Sequence, residues 1–318
     1  MEPIETVTIG IPTFNRPDGL RRTLECMLGQ TYREIEVIIS DNCSSDPAVE
    51  RTAREFSNLD KRVRYIRQTE NIGPVHNFLY LLDEAKGNYF MWAADDDWWD
   101  TSFIETTVAL LDRTPAAVVA LSDFTPILEV SNPTLMLPNY YQHIHELANP
   151  NPFIRMRRYI LQKEVYGKAH IIYGLMRTTA IRKAVDCLKR IVEPRLSIRS
   201  FIQMDVVLNG ILLSLGNLAT TDLHLRKFSY GPRKGPPRAD RTMLQRLLKY
   251  DRSTRDYFDC FYPIIEAMPL NDRQKMILRW AVCLRKINFI MERIGRRLFV
   301  YKIYWHFKKR ICFKPVAA

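Results

Sequence analysis

Residues 89–100 read YFMWAADDDWWD. The apolar run Tyr89 to Ala93 passes into three adjacent carboxylates, Asp95, Asp96 and Asp97. A run that is apolar on both faces suits a strand of a parallel sheet covered on both sides. Neighbouring carboxylates repel one another unless a cation sits among them. Hard divalent ions such as Mg²⁺ or Mn²⁺ bind oxygen and keep few protein ligands when a diphosphate supplies the rest. An acidic turn capping the next helix is the other reading, and this stretch alone leaves both open.

Outward from it, strands and helices alternate. Val7 to Ile11 is β-rich and is expected to stop at Pro12; Leu20, Leu24, Met27 and Leu28 then recur at helical spacing. Ile35 to Ile39 reads as a second strand. Asp46 and Pro47 form a helix start, the first as cap and the second in the first turn. Val63 to Ile66 is a third strand, Phe78, Leu81, Leu82 and Ala85 mark a helix stopping near Gly87, and a helix over 103–111 and a strand over 117–121 follow the acidic run. This rhythm predicts an α/β fold with a mostly parallel sheet flanked by helices, with ligands gathering at the strands' carboxyl ends. Residues 125–152 hold five prolines and four asparagines and read as a long loop. His170–Met176 and Leu218–Phe228 read as strands, Asp205–Leu215 as a helix, and everything after the break at 231–240 as helical. The expected organisation is one catalytic domain over 1–230, divided into halves 1–125 and 126–230. A linker over 231–240 and a helical basic region over 241–318 follow.

Charge separates the same regions. The net charge is +12, yet residues 1–240 balance 29 Lys/Arg with 29 Asp/Glu, and residues 241–318 hold 18 against 6. Six scattered cysteines without a CxxC pair argue against a zinc ribbon or a disulfide framework. No uncharged apolar run approaches the roughly 20 residues of a membrane span. The acidic start Met1 to Glu5 is unlike a secretory signal, so a cytoplasmic protein is expected.

The other strand ends are also equipped. Strand one ends in Pro12, Thr13, Phe14, Asn15 and Arg16, offering backbone groups, an aromatic face and an amide. Strand two ends at Asp41, whose carboxylate suits a base N–H; Asn71 and Gly73 follow strand three. Together these ends describe one nucleotide site. The segments VTIGIPTFNR, IISDNCSSD, ENIG and ADDDWW resemble, in order and spacing, the inverting family 2 glycosyltransferases of the GT-A fold, of the bacterial polysaccharide type. The resemblance is close over roughly 5–125 and looser over 165–230.

The resemblance implies transfer of a sugar from a nucleotide-diphosphate donor, of the UDP type, to an acceptor hydroxyl of a glycan or lipid-linked glycan, with Mn²⁺ or Mg²⁺. It implies that Pro12, Thr13 and Phe14 line the nucleoside pocket, that Asp41 meets the base and Asp95 the ribose, and that Asp96 and Asp97 hold metal and diphosphate. Three departures stand out: Ala94 occupies the first position of the family's D-x-D-D, Phe14 a common Tyr position, and Met204 a common Glu position. The family's general base lies near the start of a later helix, which points to Asp205, with Asp123 and Asp222 as fallbacks; a helix-capping role would place Asp205 equally well. His224 and Arg226 fall where relatives reach the diphosphate, and Arg177 beside the acceptor pocket.

The segment 298–310, LFVYKIYWHFKKR, mixes aromatics with cations and suits an anionic membrane interface, which would make the protein peripheral on the inner membrane face. A solvated C-terminal helix is the plainer alternative. Nucleic acid is not an expected partner: the front is neutral and no RNA-recognition or zinc-finger signature appears. A Rossmann dehydrogenase is not expected, because no GxGxxG follows strand one.

Overall fold

The computed structural model describes residues 5–128, 140–192, 201–230, 254 and 256–311. The break at 231–240 and residues 241–253 and 312–318 lie outside the described residues. Elements run β1 (Val7–Thr13), α1 (Pro17–Leu28), β2 (Ile35–Asp41), α2 (Pro47–Leu59), β3 (Val63–Arg67), α3 (Pro74–Asp83), β4 (Tyr89–Trp92), β5 (Asp97–Trp99), α4 (Phe103–Arg113) and β6 (Ala117–Leu128). Then come α5 (Tyr140–His145), α6 (Pro152–Leu161), β7 (Leu175–Arg177), α7 (Thr178–Val192), α8 (Phe201–Leu215), β8 (Asn217–Tyr230) and helices over Phe261–Ala267 and Asp272–Ile311.

One sheet has the order β3-β2-β1-β4-β7-β6-β8-β5. All strands are parallel except β7 and β5. Alternation along β4 explains its uninterrupted apolarity: Tyr89, Met91 and Ala93 enter the core under α1, α2 and α4, while Phe90 and Trp92 enter the opposite one under α3 and α8.

Four local expectations are corrected. Proline does not end β1, because pairing with β4 stops at Gly10 and Pro12 has a strand neighbour only on the β2 side; a missing N–H is harmless there. Pro126 sits inside β6 for the same reason, since β7 pairs only with Val119 and Ala120. The stretch 125–152 is therefore not all loop: β6 runs to Leu128, and α6 starts where Asn151 caps Phe153 and Ile154 ahead of Pro152. The segment expected as a strand over 170–176 is a 3₁₀ turn over Lys168–Tyr173 followed by the three-residue β7. Gly174 makes that junction possible, because a Cβ there would stand 2.5 Å from the Ala120 carbonyl.

The C-terminal helices share the core of the preceding half. Phe261, Ile264, Leu278 and Val282 are buried with Tyr159, Val207 and Ile211. An ion-pair cluster joins them: Glu164 pairs with buried Lys168 at 3.2 Å and with buried Arg285, and accepts from the Tyr257 hydroxyl at 3.1 Å. The described part of 241–318 thus builds on the catalytic half.

Candidate active site

Parallel pairing of β1 with β2 and β4 brings their carboxyl ends together. Thr13 Oγ1 donates to Asp95 Oδ2 at 3.0 Å, and Arg16 Nη1 bridges Asp95 Oδ1 (3.2 Å) and Asp96 Oδ2 (2.8 Å). The first turn of α1 touches the cluster's backbone at Gly19, where a Cβ would lie 2.0 Å from the Asp95 carbonyl oxygen. Buried Gln30 fastens the far side, donating to the Asp100 carbonyl at 2.7 Å and accepting from the Ile104 N–H at 3.0 Å.

The three carboxylates have different surroundings. Asp95 is buried, and burial, opposed by Arg16 and reinforced by Asp96, pushes its carboxyl up to about 6. Asp97 is 4% exposed; burial pushes it up to about 6 against the pull of Arg226. Asp96 has 46% of its side chain exposed. Strand β5, which sequence reading missed, explains Asp97. Its antiparallel pairing with β8 sets Trp99 opposite Arg226 and Asp97 two places along the same face. Arg226 Nε donates to Asp97 Oδ2 at 2.8 Å, and Nη2 reaches the same oxygen. Asp97 was expected at the metal beside Asp96; here it is committed to a buried guanidinium, and Asp96 is the open carboxylate. Arg226, expected at the diphosphate, is 2% exposed, and its Nη1 has no hydrogen-bond partner among the described residues.

Two residues that sequence reading missed complete this region. Arg226 lies 4.4 Å over the Tyr173 ring, and its Nη2 stands 3.5 Å from His170 Nδ1. His170 packs between Phe124 and Phe228, and burial with Arg226 beside it drives its pKa well below the ordinary value. Burial also raises the Tyr173 hydroxyl, and the charges of Asp97, Arg226, Asp205 and Asp96 all act on it. Tyr173 therefore lies within electrostatic reach of both the acidic cluster and Asp205. Neither residue stood in a motif; a buried His-x-x-Tyr ahead of Gly174 was the available signal.

Asp205 occupies the second turn of α8 rather than its start, because α8 begins at Phe201. Its Oδ1 accepts from the Val206 N–H at 2.7 Å. Around it Met204, Val206, Val207 and Leu208 are buried, which holds the helix rigidly. Asp123 lies at a bulge between β6 and β8, where Oδ2 is 3.4 Å from exposed His224 Nδ1. His224 is thus placed at Asp123 and Thr125 rather than at the acidic cluster. Asp222 is exposed on β8. Arg177 caps the Ala117 and Leu111 carbonyls near the start of β6, away from the strand ends, so the acceptor-pocket role expected for it is not where the structure puts it.

The ends of β1 and β2 form a hydrogen-bonded rim. Phe14 is 43% exposed beside Thr13. Asn15 (φ 55°) and Cys43 (φ 60°) hold left-handed backbone, which Asn tolerates better than Cys. Asn15 Oδ1 accepts from the Ser45 and Asp46 N–H groups, locking the β1 end onto the start of α2. Asp41 is buried, with Oδ1 accepting from the Ser44 N–H (2.9 Å) and Oδ2 from the Tyr65 hydroxyl (3.0 Å). Asn71 accepts from Asn42 Nδ2 and from the Gly73 N–H, which shapes the turn before α3. Hydrogen bonds tie these segments together: the Asn42 N–H donates to the Thr13 carbonyl, and Asn42 Nδ2 to Asn71.

One prediction follows from Asp95, which Thr13, Arg16 and Asp96 face. An unfolded aspartate titrates near about 4, so the folded chain holds this proton at higher pH. Acidification from pH 7 to 5 should favour the native state by about 1 kcal/mol through this group, a gain that Asp95→Asn removes. Urea melts of both proteins at the two pH values check it, and identical pH dependence would refute it.

The geometry has counterparts. Residues 8–179 match the model of Glycosyl transferase family 2, more than half of the chain. A stretch of 102 residues is 33% identical to glycosyltransferase GlyA of Streptococcus pneumoniae, covering 32% of this chain and 14% of that protein. Another of 92 residues is 30% identical to the GalNAc(5)-diNAcBac-PP-undecaprenol beta-1,3-glucosyltransferase of Campylobacter jejuni, 29% of either chain. The aligned stretches thus span under a third of each of these relatives. Among solved structures, S. aureus TarS 1–349 with UDP superposes at a TM-score of 0.61 and 14% identity, over 86% of this chain and 69% of that one. The mannosyltransferase PcManGT of Pyrobaculum calidifontis, in complex with GDP-Man and Mn²⁺, gives 0.50 at 14%, over 97% and 84%. At such identities the likeness is one of fold. The sheet order, the acidic cluster at the β4 end and the matched segment agree: the chain belongs to glycosyl transferase family 2 and has the GT-A fold.

Proposed function

We propose that the protein transfers a hexosyl or N-acetylhexosaminyl group from a nucleotide-diphosphate sugar, of the UDP type, to an acceptor hydroxyl with inversion. The observation that carries this reading is the graded acidic cluster. Asp95 and Asp97 are buried against guanidinium groups, whereas Asp96, which shares Arg16 with Asp95 at 2.8 Å, keeps 46% of its side chain exposed. Among the described residues no group of three acidic, His or Cys side chains could cage an ion. That donor set fits a hard divalent ion that arrives with the diphosphate and takes one protein carboxylate, Asp96. Such an ion, Mn²⁺ or Mg²⁺, would neutralise charge on the leaving diphosphate. Phe14 stacks on the base, Asp41 lies at its edge and Asp95 accepts from the ribose. Arg226 Nη1, buried and unpaired, offers a donor to the diphosphate side.

On the acceptor side Asp205 takes the hydroxyl proton as the oxygen attacks the anomeric carbon and the nucleoside diphosphate departs. The solved relatives with UDP, UDP-GlcNAc and GDP-Man support a nucleotide-sugar donor. The Campylobacter relative, named for a diphospho-undecaprenol glycan, supports a lipid-linked glycan as acceptor.

Thermal shift tests the donor half. UDP with Mn²⁺ should raise the melting temperature, UDP alone should raise it less, and Asp96→Ala should abolish the metal increment. At ligand about 100-fold above Kd the gain is about 2.7 kcal/mol. Unchanged melting with UDP, GDP, dTDP and CMP, with either metal, would reject the reading.

A further inference from the structure

The long helix Asp272–Ile311 is apolar on two opposite sides. Leu278, Ala281, Val282 and Arg285 are buried against the catalytic half. Met276, Trp280, Leu284, Ile287 and Met291 are all exposed, Trp280 at 70%. At about 100° per residue these five share one side, facing away from the buried set. In the sequence the same spacing of three and four continues through Ile294, Leu298, Tyr301 and Trp305. From Met276 to Met291 the stripe runs about 22 Å, which makes it an interaction surface rather than scattered apolar residues.

Charge identifies the occupant. This helix carries twelve Lys/Arg and two Asp/Glu. Arg279 and Lys286 are paired with Glu266 and Asp259. The excess lies beyond Glu292, where seven basic residues and no acidic one stand before Ile311. Two copies joined stripe to stripe would bring like charges together and lack the acidic partners that specify helix pairing. A bilayer rich in anionic lipid satisfies both features, with Trp at headgroup depth and cations over phosphate. No helix among the described residues is long and apolar enough to cross a membrane, so the contact is with its surface.

We propose that the Asp272–Ile311 helix docks on an anionic lipid surface through the stripe Met276, Trp280, Leu284, Ile287 and Met291. This inference stands on the stripe and its charge, independently of the donor reading. Vesicle co-sedimentation of the full chain tests it, with phosphatidylcholine alone and with phosphatidylglycerol added. Binding should rise at least about tenfold with the anionic lipid and fall as salt is added. The double variant W280E/L284E should lose about tenfold or more while keeping the wild-type melting temperature, because both side chains are exposed. Equal binding to both vesicles, binding to neither, or undiminished binding by the double variant would overturn the proposal. So would a concentration-dependent dimer that the double variant dissolves.

Discussion

Asp205→Asn should lower kcat by about 10²–10⁴ and leave the metal-dependent UDP melting shift intact. The substitution keeps size and hydrogen-bonding capacity in a helix whose neighbours Val206, Val207 and Leu208 are buried, so folding is little affected. On the proposed mechanism it removes the group that accepts the acceptor's proton. Donor contacts lie at the ends of β1, β2 and β4, on other elements, which is why binding and turnover should separate. Asp123→Asn is the matched comparison: it too is a carboxylate near the sheet's carboxyl edge, beside His224, and burial raises its pKa. Single-turnover assays of both variants decide between them. Activity within about tenfold of wild type in Asp205→Asn, with collapse in Asp123→Asn, would transfer the role to Asp123.

Arg226→Met should cost about 3–5 kcal/mol of stability at neutral pH, lowering the melting temperature by roughly 10 °C. It strands the Asp97 carboxylate in a site with 4% exposure. Besides Arg226, the charges acting on Asp97 are Asp96, which opposes its ionisation, and Arg22, which assists it. Burial already raises this carboxyl to about 6, so it is protonated readily once the guanidinium is gone. The sign follows: the penalty of Arg226→Met is largest above pH 6 and shrinks as acid neutralises Asp97. Adding Asp97→Asn should restore part of the loss, because the amide leaves no buried charge. A double-mutant cycle by urea denaturation measures this coupling. A single-variant loss under about 1 kcal/mol, or strictly additive effects, would show that the pair does not hold β5 against β8.

The donor half was legible because its elements are local. β1, β2, β3 and β4 are separated by short helices, each marked by apolar spacing or by a start such as Asp46-Pro47, where Asp46 accepts from the Ala48 N–H. Their strand ends then fall side by side without further information. What was hidden depends on distant partners. β5 exists only because β8, more than a hundred residues later, pairs with it, so Asp97 read as one carboxylate among three. Pro12 and Pro126 looked like strand breakers because one cannot see in sequence which flank of a strand lacks a neighbour. His170 and Tyr173 looked apolar enough for a strand, whereas the Gly174 approach to Ala120 forces a turn. The tail's charge was visible at once; the stripe on its outer side required knowing that Leu278, Val282 and Arg285 face inward.

The shared core of the C-terminal helices sets an order of events during synthesis. The face of the sheet under α1, α2 and α4 is closed once Leu225 has been made. The opposite face holds Ile38, Phe78, Phe90 and Trp92 together with Phe261, Leu278 and Val282, which are translated later. Glu164, paired with buried Lys168, meets Arg285 only then. A growing chain therefore keeps that second face open after β8 has closed the first. The helix Asp272–Ile311 both closes that face and presents the outer stripe, so a chain that has not yet reached it has neither.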